Sequence, residues 1–150
     1  MGNVKEEKPD VAPSYKIRYV NINIIFDYMI KNNGNAGEIS KRKQDILAKI
    51  ELSDTQLADP GNAGKRDEIL KNRNQYYSDL EEIKKDEDHY KNLFLNQIDS
   101  ALKVIAKKSD IDFILNIGEG VVYSKKEYDI TEELLREIIK QKQRSAPVTR

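Results

Sequence analysis

The sequence predicts an α+β chain, a small β body carrying a long antiparallel α-helical hairpin of coiled-coil type. Three observations predict it. Charged residues make up 35% of the chain and apolar ones only 38%. That is too little apolar material to fill a compact sphere of this length, yet enough for elongated helices whose side chains mostly face water. The apolar residues are also periodic, which a disordered polymer of the same composition would not show. Finally, short β-prone segments stand at both ends of the sequence and flank two long heptad runs that meet at a proline–glycine turn.

Composition narrows the function. Lysine plus arginine number 26 and aspartate plus glutamate 26. No excess positive charge is available to oppose phosphates, so nucleic acid is not an expected partner. The chain has no cysteine, which removes disulfides, thiolate metal sites and cysteine nucleophiles; that fits an oxidising compartment and is also common in short cytosolic proteins. No run approaches the roughly 18 apolar residues of a membrane span. Met1–Pro9 lacks the apolar core of an export signal and reads as an added start joined to a mature chain.

The elements follow in order. Residues 1–15 are charged, contain Pro9 and Pro13, and are expected to form a disordered arm. The body is expected from residues 16–34 and 109–144, and the hairpin from 35–108. Tyr15–Ile22 alternates apolar and polar residues, the period of a half-buried strand. Ile25, Phe26, Met29 and Ile30 then share one helical face, with Asn23 as the expected cap. Asn32–Gly37 interrupts that helix.

A second helix, residues 38–57, repeats Ile39, Lys43, Ile46, Ile50, Ser53 and Leu57 in steps of four and three, a coiled-coil seam with polar members. Asp59–Gly64 is the strongest turn. Pro60 stops the helix, and Gly61 and Gly64 permit positive φ, so these residues form the tip. The third helix, residues 65–108, carries a seam of Ile69, Arg73, Tyr76, Leu80, Ile83, Glu87, Tyr90, Phe94, Ile98, Ala101 and Ile105. At about 1.5 Å per residue it spans roughly 65 Å. Counting outward from the turn sets Asn35 opposite Glu87. A polar interruption on one arm then faces Asp86–His89 on the other, a weak point at which the arm would bend.

Ile111–Ile117 and Val121–Ser124, joined by Gly118-Glu119-Gly120, read as a pair of strands in a hairpin. Thr131 is the expected cap of a last helix, residues 132–143, which buries Leu134, Leu135, Ile138 and Ile139. Residues 145–150 are expected to fray. Three short strands cannot enclose a core alone, and their edges invite pairing between chains. Oligomerisation is therefore expected through Ile17, Tyr19, Val20, Ile22, Phe113, Ile114, Leu115, Val121, Val122 and Tyr123.

Catalytic, cofactor and metal sites are not expected. His89 is the only histidine, and its acidic neighbours Asp86, Glu87 and Asp88 point in different directions on a helix. Gly118-Glu119-Gly120 joins two strands and precedes no helix, so it is a turn and not a phosphate loop. Lys41-Arg42-Lys43 and Lys84-Lys85 read as helix-surface charge, with weak contact to anionic membrane lipid as the other use. More informative are Tyr76, Tyr77, Tyr90, Leu93, Phe94 and Leu95. Two helices need one seam, yet Tyr77, Leu93 and Leu95 lie off it. They either pack on the body or a neighbouring subunit, or they line a cavity and offer weak contacts, on the order of 1 kcal/mol or less, to unfolded chains.

The element order and several segments resemble the Skp/OmpH family of periplasmic chaperones. Lys16-Ile17-Arg18-Tyr19-Val20-Asn21 is similar to the family's first strand. Ala101–Ala106, Ser109–Leu115, Val121-Val122-Tyr123 and Asp129-Ile130-Thr131 follow in the family's order and close to its spacing. The resemblance covers about residues 16–140 and implies a trimer, with an intersubunit β-barrel body and three helical tentacles around a cavity. It further implies an ATP-independent holdase for unfolded outer-membrane or periplasmic proteins, in the periplasm, with the export signal removed. The chain departs from the family in its neutral charge and its shorter shaft, which implies a smaller cavity. A structural adaptor, whose hairpin forms a fixed coiled coil with one folded partner, is the alternative function; an enzyme is not expected.

Overall fold

The computed structural model of the chain describes residues 2, 14–118 and 120–145. The arm expected for residues 1–15 and the tail expected for 145–150 fall almost wholly outside the described residues. Strand β1, Ile17–Val20, leads into helix α1, Ile22–Lys31, and then helix α2, Gly34–Ala58. A six-residue 3-10 turn, Pro60–Lys65, joins α2 to helix α3, Arg66–Ser109, which is 44 residues long. Strand β2, Phe113–Asn116, and helix α4, Thr131–Ser145, complete the order.

Local chemistry explains the boundaries. The Asn21 side chain accepts from the Ile24 amide and caps α1, so the cap lies two residues earlier than the expected Asn23. Asn33 does the same for α2 through the Ala36 amide at 3.0 Å. The break between the two helices is therefore confined to Asn32 and Asn33, and α2 absorbs the rest of the Asn/Gly stretch that was expected to interrupt it. At its far end α3 stops where Asp110 takes a left-handed conformation, φ 52°. The amides of Asp110 and Ile111 both return to the Ala106 carbonyl, closing carbonyls that the helix would leave open. The start of α4 is held by Asp129, whose carboxylate accepts from the Thr131 amide at 2.9 Å. Thr131 is the first helical residue, and its hydroxyl accepts from the Asn21 amide, tying α4 to the end of β1.

The two strands lie parallel, with Ile17 opposite Phe113 and Tyr19 opposite Leu115. Parallel pairing suits them, because the whole helical excursion lies between them as one crossover. The chain also touches the other side of β1 at a single bridge, Tyr19 to Asp129. The strand hairpin expected over residues 111–124 does not form. Val121–Ser124 belongs to no strand and, among the described residues, leaves the outer edge of β2 unpaired; it follows Gly118 and Gly120, both at positive φ. Val122 is fully exposed there and Tyr123 largely so.

The main core sits at the root of the hairpin. Val20, Ile25, Met29, Ala36, Phe94, Ile98, Ala101, Ile105, Ile130, Leu134 and Ile138 form one buried cluster. Beyond Ala36 and Phe94 the two long helices bury Ile50, Ser53, Leu80 and Ile83 against each other. Every seam residue of α3 from Ile69 to Ile105 is buried or half-buried. At about 1.5 Å per residue α3 spans about 66 Å.

The register of the hairpin differs from the expectation. Glu87 meets Lys43, at 2.8 Å, and not Asn35. The midpoint of that pair is Lys65 and not Gly61, because the tip residues wind through a 3-10 turn before the chain reverses. The polar stretch at Asn35 therefore does not face Asp86–His89: α3 runs unbroken through those residues, and Asn35 lies in the first turn of α2, beside the break at Asn32 and Asn33. Gly61 and Gly64 also do not use positive φ. The tip is closed instead by the Asp59 carboxylate, which accepts from the Gly61 amide at 2.9 Å, and by the Asn62 side chain on the Gln56 carbonyl.

Candidate functional site

Three surfaces carry apolar groups that the single chain leaves unused. The first is the flank of the hairpin. Tyr77 is 44% exposed, Leu93 39% and Leu95 41%, whereas Phe94 is 4% exposed and belongs to the root core. Tyr76 and Tyr90 are half-buried in the seam. Helical phase separates the exposed three. Tyr77 and Leu95 each follow a seam residue and share a flank with Lys91, while Leu93 precedes Phe94 and lies on the opposite flank. There Leu93 borders a shallow groove with Ile138 and Gln141 of α4. On α2, Leu47 and Leu52 are exposed as well. The off-seam test that singles out Tyr77, Leu93 and Leu95 on α3 would have found them had it been applied to α2.

The polar members of the seam hold this flank in place. Arg73 pairs with Asp54 at 2.7 Å and lies over the Tyr77 ring, 5.3 Å from its centre. Lys49 lies over the Tyr76 ring. Lys43 turns inward to Glu87, so the run Lys41-Arg42-Lys43 is split, with only the first two side chains exposed. His89 is exposed and packs edge-on to Tyr90.

The second surface is a groove of about 420 Å³ at the root of the hairpin, between α1, α2 and α3. Phe26, Ile30, Ala36, Ile39, Tyr90 and Phe94 form its walls, and Asn23, Ser40, Glu87 and Lys91 its rim. It gathers two residues of the sequence-based set, Tyr90 and Phe94, with Phe26 of α1. That conjunction depends on how α1 folds back on the hairpin and has no signal in the sequence.

The third is the outer face of the sheet. The strand period of two puts Ile17, Tyr19, Phe113 and Leu115 on one side, and Val20 and Ile114 against the core. Ile17, Phe113 and Leu115 are exposed, and Tyr15 continues the patch by packing edge-on to Phe113 at 5.4 Å. Of the ten residues expected at a subunit interface, Val20 is already buried within the chain and Val121–Tyr123 lie outside any strand. No helix among the described residues is long and apolar enough to cross a membrane.

Comparison with known families decides the affiliation. A family model described as outer membrane protein (OmpH-like) matches residues 27–138, most of the chain. The chain belongs to the OmpH-like family. No curated protein sequence matches it. The OmpH-like match runs from within α1 to within α4, so it takes in the full hairpin and its root. The family is one of periplasmic chaperones and not of enzymes. Membership therefore assigns a chaperone-like role in general terms, and a long helical hairpin above a small sheet fits it.

Proposed function

We propose that the chain is an ATP-independent holdase, which takes up unfolded outer-membrane proteins between the hairpins of a trimer and keeps them from aggregating. The reading is carried by one observation: beyond Ala36 and Phe94 the hairpin buries only its own seam, while Leu47, Leu52 and Tyr77 stay exposed along it. Such contacts are individually weak and spread over a long surface, which suits a client that must both bind and leave. The bare face of Ile17, Phe113 and Leu115 supports assembly through the body, since a small sheet with an open edge and an apolar face gains from partners. Three copies joined there would set their hairpins around a shared space.

Contact with anionic lipid through Lys41-Arg42-Lys43 has little part in this reading, because Lys43 is engaged with Glu87. Family membership does not favour the fixed adaptor.

Light scattering tests the proposal. An unfolded β-barrel membrane protein is diluted from urea into buffer with increasing amounts of the chain and no nucleotide. Scattering should fall as the ratio rises, and a native mass should show three copies per bound client. Scattering that is unchanged at every ratio defeats the reading.

A further inference from the structure

We infer that the groove at the root of the hairpin is a docking site for an aromatic side chain of an unfolded polypeptide, carried next to an acidic group that Lys91 meets. The inference rests on the holdase reading and gives it a specific subsite.

The walls favour a ring. Phe26 and Phe94 stand edge-on with centres 6.5 Å apart, and Tyr90 is tilted against Phe94 at 6.0 Å. Phe26 and Tyr90 are half-buried, so each has a side left to offer. A further ring entering between them gains edge-to-face contacts that an aliphatic chain does not. The volume, about 420 Å³, lies in the range of small-ligand pockets and admits one large side chain with its neighbouring backbone.

The rim sets the sign of the neighbour. Two charged groups stand there, Glu87 and Lys91. Both carboxylate oxygens of Glu87 accept from the Lys43 ammonium, at 2.9 and 2.8 Å, so its charge is met. Lys91 makes no ion pair among the described residues. The rim is thus left with one uncompensated positive charge beside an apolar cleft, complementary to an aromatic residue with an acidic neighbour. Tyr77 and Leu95 lie along the same flank as Lys91, so the groove continues the exposed stripe already described. The chain's own ends do not supply the ring: residues 1–13 and 146–150 contain no aromatic residue.

The chain has no tryptophan, so tryptophan emission from a short peptide reports binding without background. Two capped peptides are compared, each with one tryptophan in a glycine–serine context, flanked by aspartates in one and by lysines in the other. The aspartate peptide should bind with a blue-shifted emission, about threefold more tightly than the lysine peptide, as a partly exposed ion pair allows. Lys91→Glu should invert that preference. Ser40→Phe, which fills the groove from its rim, should weaken both peptides by about tenfold with helical content and native mass unchanged.

Equal binding of the two peptides to the wild type, no inversion by Lys91→Glu, or full binding by Ser40→Phe each overturns the inference. So does a fall in native mass on Ser40→Phe, which would make the groove a contact between copies. Aggregation assays on the same preparations separate the two readings. Suppression without groove-dependent peptide binding removes only the subsite. Groove-dependent binding without suppression keeps the subsite and removes the holdase.

Discussion

Phe94 and its neighbours Leu93 and Leu95 have similar chemistry and opposite fates, and helical phase alone separates them. Phe94 falls on the seam just where α1 closes over the hairpin, so it is buried against Phe26 and Tyr90. Phe94→Ala should therefore cost about 3–5 kcal/mol, the loss for a large core aromatic, read from urea unfolding followed by helical circular dichroism. A cost below about 1 kcal/mol would place the residue at the surface. Its burial was legible from the heptad pattern, which also sets Leu93 and Leu95 off the seam. Charge at this scale matters less. Lys103 is held above the ordinary lysine range by its hydrogen bond to Asp99 and by that carboxylate's charge. A raised lysine stabilises the fold below its unfolded value and loses that contribution as pH climbs through the folded one. Asp99→Asn should thus lower the urea midpoint slightly near neutrality, and the two curves should converge in the alkaline range.

Elements add what residues cannot decide alone. The seam of α2 and α3 was legible because a heptad needs only the spacing of apolar residues along one helix. The register between the helices was not, since it depends on how many residues the tip consumes, and the 3-10 turn at Pro60–Lys65 changes that number. The same shift turns Lys43 and Glu87 from two unrelated polar interruptions into a partnered layer between the root core and the outer seam. Breaking such a layer and replacing it are different experiments. Lys43→Leu together with Glu87→Leu should leave stability unchanged or raise it by about 1 kcal/mol, because two partly desolvated charges give way to apolar packing. Glu87→Leu alone should destabilise, and urea unfolding of the three proteins in parallel distinguishes the cases. At the tip, Gly64 lacks positive φ, and an added Cβ would meet nothing within 4 Å. Gly64→Ala should then stabilise by about 0.4–1 kcal/mol by restricting the unfolded chain, seen as a higher urea midpoint. Val121–Ser124 shows the limit of local reading. Its β propensity is real, but propensity alone does not decide pairing: the segment stays exposed although the outer edge of β2 is free.

At the scale of the whole molecule, buried apolar groups form the root cluster and the seam, while exposed ones line the hairpin flank and the sheet. The root cluster holds the helices to the sheet, and the outer sheet face remains bare. Phe113 and Leu115 alternate with Ile114, so they point away from the core that Ile114 joins. Charging them should leave the fold of each chain intact and remove what draws copies together. Phe113→Asp with Leu115→Asp is therefore expected to keep the helical circular dichroism and to shift the native mass from the assembled form to a single chain. If holding a client needs several hairpins around one space, the same variant should also lose suppression of aggregation, even though every flank residue from Leu47 to Leu95 is untouched. An assembled mass with both aspartates in place would mean that copies meet elsewhere. A single-chain mass with suppression retained would mean that one hairpin suffices, and that the exposed flank acts without an enclosed cavity.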